Sequence, residues 1–255
     1  MRARSIGAAA TATLSLGAVA APAVAATILF TDFAGVWSNA KGAKVAYTGA
    51  GTDEAQAVRG DALSKSSYVF SGASDVSKTL GEGPAPFRIG AFTYDDAKVS
   101  GGSITGITLS VSTSVVVDGV NQGLGNFVYG FEHWETPNNA HGVNGVCGNG
   151  ERDRDASNLY GCADRVRATL LKPAELIKID GKYYALDISG LVHDGNPVEE
   201  FWARENESGS ADLRAQLRLV TAAVPEPANW AMMIIGFGVA GTAVRAGRRR
   251  NILAT

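Results

Sequence analysis

The sequence predicts an all-β body, folded as an antiparallel β-sandwich or jelly roll, and two local patterns support this. Apolar and polar residues alternate with a period of two along 107–112, 184–188 and 213–219, so each segment has one apolar face. The dipeptides Asp118-Gly119 and Asp180-Gly181 separate pairs of such segments and are typical of two-residue hairpin turns. Short strands joined by glycine-rich turns favour two packed sheets.

Further strands are predicted throughout the body, which we place at residues 26–223. Their expected bounds are Thr27–Phe33, Lys44–Thr48, Tyr68–Ser71, Ile89–Tyr94, Phe127–His133, Arg165–Leu171 and Phe201–Arg204. A chain of 255 residues is long enough to bury a sizeable core. A helix is predicted only in the apolar C-terminal segment.

Charge is segregated along the chain. Six of the 23 basic residues lie close to the two ends, so the body is left acidic. These six are Arg2, Arg4, Arg245, Arg248, Arg249 and Arg250. Because phosphate binding needs a basic surface, this distribution excludes nucleic acid as an expected partner.

Residues 1–25 have the pattern of a secretory signal peptide. Two arginines precede the uncharged apolar run 6–19, and Ala23 and Ala25 supply small residues for cleavage after Ala25. An uncleaved anchor is the alternative, but the apolar run is shorter than the roughly 20 residues that span a bilayer. Cleavage would imply export by the Sec machinery into an oxidising compartment.

Residues 224–250 carry a second membrane-directed pattern, followed by a short tail at 251–255. The stretch Pro225-Glu226-Pro227 is stiff and extended, because proline fixes φ and donates no hydrogen bond. The uncharged run 228–244 predicts a transmembrane helix of roughly 25 Å. Trp230 suits the membrane interface, and the arginines at 245 and 248–250 would hold that end in the cytoplasm, with the body outside.

This C-terminal pattern resembles the PEPxxWA variant of the PEP-CTERM sorting signal. The matching residues are Pro225, Glu226, Pro227, Trp230 and Ala231, followed by a glycine-containing apolar run and the membrane-stop residues Arg245, Arg248, Arg249 and Arg250. The resemblance implies handling by an exosortase, transient residence in the inner membrane and a Gram-negative host that makes exopolysaccharide. The first hypothesis is a non-catalytic structural or adhesive component of the envelope, and the residues predict no cofactor or metal. A plain single-span anchor is the alternative.

The body resembles the THxN-type family of PEP-CTERM proteins along 89–96, 103–109 and 131–139. The family's Thr-His-x-Asn motif falls here on Thr93-Tyr94-Asp95-Asp96, so tyrosine and aspartate replace the histidine and asparagine. No role of that histidine is therefore carried over, and the family has no established activity to transfer.

Cys147 and Cys162 are the only two cysteines, and in an exported protein they are expected to form one disulfide. The loop between them holds Glu151, Asp153 and Asp155. Calcium binding by residues 149–158 is an alternative, because alternate oxygen ligands suit Ca²⁺. The spacing does not match a calcium loop, and the interleaved arginines favour a solvated loop with internal ion pairs.

Two alternatives to a structural role come from side chains in the body. A polysaccharide-binding module could use aromatic faces, although core filling is the favoured interpretation of these residues. They are Trp134, Trp202, Tyr94, Tyr183 and Tyr184.

A secreted hydrolase could use Glu132 and Glu135 as a pair of carboxylates beside His133. Consecutive strand residues point to opposite faces, so structural or surface roles are favoured and no catalytic residue is predicted. His141 and His193 lie in turns and predict no ligand cluster.

Overall fold

A computed structural model describes residues 26–220, apart from residues 62, 81, 82, 84, 100, 101, 138–140, 174, 175 and 180. The predicted signal peptide with Ala23 and Ala25, and the sorting segment 224–250, lie outside the described residues. In the part that is described, no helix is long and apolar enough to cross a membrane.

The described chain is all-β, as predicted, with strands β1–β14 and one short 3₁₀ helix at Ala156–Asn158. In chain order the strands are β1 Thr27–Lys41, β2 Ala46–Thr48, β3 Glu54–Gly60, β4 Lys65–Gly72, β5 Val76–Thr79, β6 Phe87–Asp95, β7 Gly106–Val117, β8 Val120–Trp134, β9 Asp164–Lys172, β10 Leu176–Ile179, β11 Lys182–His193, β12 Asn196–Val198, β13 Glu200–Ala203 and β14 Ser208–Val220.

The strands form two antiparallel sheets. The six-stranded sheet has the order β13-β9-β8-β7-β1-β5, and the eight-stranded sheet has the order β10-β11-β14-β6-β4-β3-β2, with β12 paired to β11. Both predicted hairpins are confirmed, because Val117 pairs with Val120 and Ile179 pairs with Lys182. Asp118 and Gly119 both have positive φ, which a two-residue turn between twisted strands requires.

Aromatic side chains from the inner faces fill the space between the sheets. Phe92 of β6 stacks on Phe131 of β8 with ring centroids 4.4 Å apart, and Trp37 of β1 lies 6.0 Å from Phe92. Phe30 and Phe87 make a second contact between the sheets at 5.4 Å. These rings are buried, so the apolar faces predicted from alternation meet in one core.

Three strands were not predicted: β3, β5 and β12. In β3 the inward positions hold Ala55, Ala57 and Arg59, so this segment has no alternation of bulky apolar residues to indicate a strand.

Strand β1 runs to Lys41, well past its predicted end at Phe33, with register shifts near Asp32 and Asn39. Both residues have positive φ, and such irregularities let one long strand bend along the sheet.

The predicted disulfide between Cys147 and Cys162 is confirmed. No ion pair between the loop's carboxylates and Arg152 or Arg154 is found among the described residues: Asp153 and Asp155 accept backbone hydrogen bonds, and Glu151 accepts one from the Ser157 hydroxyl. Asp153 Oδ1 accepts from Gly142 N at 2.7 Å, and Asp155 Oδ2 accepts from Arg152 N at 2.9 Å. A backbone N–H close by in the chain satisfies a carboxylate at less cost in side-chain entropy than a long arginine does.

Candidate functional site

A cluster of polar side chains lies between the two sheets, at the end of the aromatic core; we call it the polar cluster. Both sheets contribute to it, and most of its members are buried. Its residues are Arg59 of β3, Tyr68 of β4, Tyr94 of β6, Asp96, His133 of β8, Glu135, Asp164 of β9 and Glu205.

Strand periodicity directs these polar groups inward. His133 lies two positions after Phe131 on β8, and Asp164 lies two positions before Val166 on β9, so each pair shares one face of its strand. Alternate residues of a strand share one face, so each polar side chain enters the core beside apolar neighbours. Charged groups in such positions need partners, because an unpaired buried charge is strongly destabilising.

The His133 imidazole lies at the centre of the polar cluster, with a side chain that is only 1% exposed. Its Nδ1 forms a short hydrogen bond with the Tyr68 hydroxyl. Its Nε2 lies 3.3 Å from Glu135 Oε2 and 3.6 Å from Asp164 Oδ2, yet it makes no hydrogen bond of good geometry in the described structure. Nε2 is therefore a buried polar atom facing two carboxylate oxygens.

The other oxygen of each carboxylate is held by a different neighbour. Arg59 Nη2 donates to Glu135 Oε1 at 2.7 Å. Thr136 donates to Asp164 Oδ1 through its backbone N at 2.7 Å and through Oγ1 at 3.1 Å. These contacts orient the two carboxylates so that Oε2 and Oδ2 face His133.

The altered motif contributes two residues to the polar cluster. The Tyr94 hydroxyl donates to Asp96 Oδ1 at 2.9 Å and lies 3.4 Å from Asp164 Oδ2. Asp96 Oδ2 also accepts from Asn206 N at 2.9 Å. The positions where the resembling family has histidine and asparagine are therefore both occupied by side chains that face this site.

Burial and charge shift the pKa values within the polar cluster. Burial lowers the pKa of His133, but the carboxylates of Asp164 and Glu135 outweigh it and leave the pKa raised. Burial raises the pKa of Glu135, but His133 and Arg59 outweigh it and hold the pKa below its usual value. Burial raises the pKa of Asp96. The site thus favours positive charge near His133 and Glu135.

Among the described residues, three groups of side chains place metal-binding atoms within 4.8 Å of one another. One is His133, Glu135 and Asp164, and a second is Asp96, Asp164 and Glu205. The third, Cys147 with Cys162 and Asp153, has no thiolate to offer because its cysteines are bonded to each other.

A groove of about 690 Å³ runs over the outer face of the six-stranded sheet and reaches the polar cluster at Glu135; we call it the outer groove. Gly130 on β8 lets Leu171 lie close over the sheet, since a Cβ there would stand 2.9 Å from the leucine side chain. The remaining lining is mixed: Ile107 and Phe131 lie beside polar and charged groups that include Lys41, Glu132 and Thr169.

Trp134 lies in the outer groove and is 61% exposed, with the Arg165 guanidinium 4.8 Å from its ring. Trp134 pairs with Arg165 across β8 and β9, and Arg165 pairs with Trp202 on β13, so the three form a row on the outer face. Core filling was therefore wrong for Trp134 and Trp202, which lie on the outer face, and for Tyr183, which is exposed. It is confirmed for Tyr94 and partly for Tyr184.

The remaining sequence candidates lie apart from the polar cluster. His193 stacks on Phe201 at 5.1 Å, and its Nδ1 lies 2.7 Å from the Ser210 carbonyl oxygen. His141 lies at the surface, 3.4 Å from Asp153. Glu132 is exposed, on the opposite face from His133, as strand alternation predicted.

Sequence reasoning missed Arg59, Tyr68, Asp164 and Glu205 as site residues. The available signal was a charged residue at a strand position whose side chain points inward, as with Asp164 two positions before the buried Val166.

Comparison of the sequence with protein-family models found no match, and comparison with curated proteins found none either.

Proposed function

We propose that this chain is an exported, exosortase-sorted protein of the bacterial cell envelope, and that its body binds exopolysaccharide along the outer groove in a non-catalytic, adhesive role. The observation that carries the binding part is the exposed Trp134 ring in a groove lined with polar groups. A rigid indole beside hydrogen-bonding side chains suits a sugar ring, which has apolar faces and a polar rim.

The position of the carboxylates supports a binding role over hydrolysis. A glycosidase needs two carboxyl groups that flank a bound sugar, about 5–10 Å apart. Here Asp164 and Glu205 are each 1% exposed, so a sugar could not lie between them without opening the core. Of the pair considered from the sequence, Glu132 is exposed on the outer face, and Glu135, at the edge of the outer groove, is ion-paired with Arg59. His133 and Arg59 outweigh burial and keep the pKa of Glu135 low, which does not suit a general acid.

Replacing Trp134 with alanine should weaken binding to the producing bacterium's purified exopolysaccharide by about tenfold or more. Loss of a central aromatic contact commonly costs more than about 1.4 kcal/mol, which corresponds to that factor. Calorimetry, together with a glycan array, measures the change. Tyr183→Ala is the matched control, because it removes an exposed aromatic ring from the other sheet and should leave affinity unchanged. Equal binding by wild type and Trp134→Ala would rule out this groove.

Changing Pro225-Glu226-Pro227 to three alanines should leave a longer, membrane-retained form of the protein. The sorting resemblance motivates this expectation, and the rigid stretch after β14 would be the part that an exosortase could reach. Immunoblots of membrane and medium fractions, with mass spectrometry of the C-terminus, measure the outcome. Wild-type protein that is intact through Thr255 in a host with an exosortase would leave the plain-anchor alternative.

A further inference from the structure

We propose that His133 Nε2, Glu135 Oε2 and Asp164 Oδ2 form a binding site for a divalent transition-metal ion, with Zn²⁺ as the best match. The site is independent of the sugar-binding proposal, although Glu135 lies at the boundary between the polar cluster and the outer groove.

The first argument is that the buried Nε2 of His133 faces two carboxylate oxygens but makes no hydrogen bond among the described residues. An imidazole nitrogen in this position costs free energy unless it donates or accepts a hydrogen bond or binds a cation. If Nδ1 carries the proton and donates it to the Tyr68 hydroxyl, then Nε2 presents a lone pair toward the two carboxylates. This is the arrangement in which a histidine binds a metal ion.

The second argument is the spacing of the three atoms. Zinc bound tetrahedrally at about 2.0–2.2 Å has neighbouring ligand atoms roughly 3.3–3.6 Å apart. Nε2 lies 3.3 Å from Glu135 Oε2 and 3.6 Å from Asp164 Oδ2, and the triad as a whole lies within 4.8 Å. A bound ion would need only a small inward movement of the carboxylates.

The third argument is that each of the three ligands is already oriented through its other polar atom. Tyr68 holds Nδ1 of His133, Arg59 holds Oε1 of Glu135, and Thr136 holds Oδ1 of Asp164. In metal sites, neighbouring residues commonly hydrogen-bond to the ligands in this way. These hydrogen bonds fix the tautomer of a histidine and the direction of a carboxylate.

The fourth argument is charge. Asp96 and Glu205 bring two more carboxylates within 4.8 Å of Asp164. Within the triad itself, the Glu135 and Asp164 carboxylates both lie within ligand distance of His133 Nε2, and Arg59 is ion-paired with the other oxygen of Glu135. A divalent cation between the two carboxylates would offset their negative charge. The imidazole ligand favours Zn²⁺ or a similar ion over Ca²⁺, which prefers oxygen ligands throughout.

Zinc titration of the full chain, purified in mild detergent and freed of metal with a chelator, tests the proposal. We expect one Zn²⁺ per chain and a rise in Tm of about 5–10 °C at zinc 100-fold above Kd. Ca²⁺ should produce no such rise. His133→Gln should weaken zinc binding by on the order of 100-fold, and Tyr68→Phe by about 10–100-fold.

The chain has three histidines, so the other two provide matched controls. His141→Gln and His193→Gln each remove one imidazole outside the triad and should bind zinc like the wild type. If His133→Gln does not fold, Glu135→Gln retains the shape and the Arg59 contact and should still weaken binding.

Zinc-edge X-ray absorption of the wild type needs no variant. It should show one imidazole with oxygen ligands and no sulfur. Absence of zinc binding, equal binding by His133→Gln and wild type, or a preference for Ca²⁺ over Zn²⁺ would each overturn the proposal.

Discussion

Replacing Arg59 with methionine is expected to lower the free energy of unfolding by about 3–5 kcal/mol. The guanidinium is buried and donates to Glu135 Oε1 at 2.7 Å. Methionine would fill part of the space but would leave Oε1 of a mostly buried carboxylate without the guanidinium that pairs with it, and that loss costs more than the pair itself contributes. Urea denaturation with a chelator present measures the change, so that no metal effect is included.

Arg88→Met is the matched control for Arg59→Met. Arg88 donates to Asp212 Oδ1 at 2.8 Å, but both side chains are substantially exposed. The same chemical change there should cost less than about 1 kcal/mol, because water screens and replaces a surface ion pair. Similar losses for the two variants would mean that burial does not set the strength of the Arg59 contact.

Replacing Phe92 with alanine is expected to cost about 3–5 kcal/mol of stability, the usual range for a buried phenylalanine. Phe92 is fully buried and stacks on Phe131 of the opposite sheet at 4.4 Å, with Trp37 and Phe201 near its edges. Its removal would leave a cavity where the two sheets meet. Thermal and urea unfolding measure the loss.

Leu63→Ala provides the control for Phe92→Ala, since Leu63 is 96% exposed. This change should alter stability by no more than about 0.5 kcal/mol. A loss below about 1 kcal/mol for Phe92→Ala would show that the contact between the sheets does not depend on this ring.

Much of the fold could be predicted from short stretches of sequence. The alternation along 107–112 and the Asp118-Gly119 turn are local patterns, and a period of two together with a tight turn leaves few alternatives to a hairpin. The disulfide could be predicted because two cysteines allow only one pairing. By contrast, β3 was missed because alanine and arginine at its inward positions do not resemble an apolar face.

The polar cluster could be predicted only in part. Alternation along each strand places His133 and Asp164 on its inner face. Alternation does not say which strand pairs with it in the same sheet or which strand faces it from the other sheet. His133 meets Tyr68 because β8 and β4 belong to facing sheets, 65 residues apart in the chain. Pairings over such distances depend on strand order, which no local pattern contains.

The sequence by itself determined the all-β class, the two hairpins and the disulfide, because each depends on residues that are neighbours in the chain or on a pairing without alternatives. Only the tertiary structure decided that Arg59, His133, Glu135 and Asp164 share one buried site, and that Trp134 lies outside the core. The physical reason is that the packing of the whole core decides the order of the strands and which strands lie opposite each other. In that core each inward side chain must find partners from distant segments of the chain.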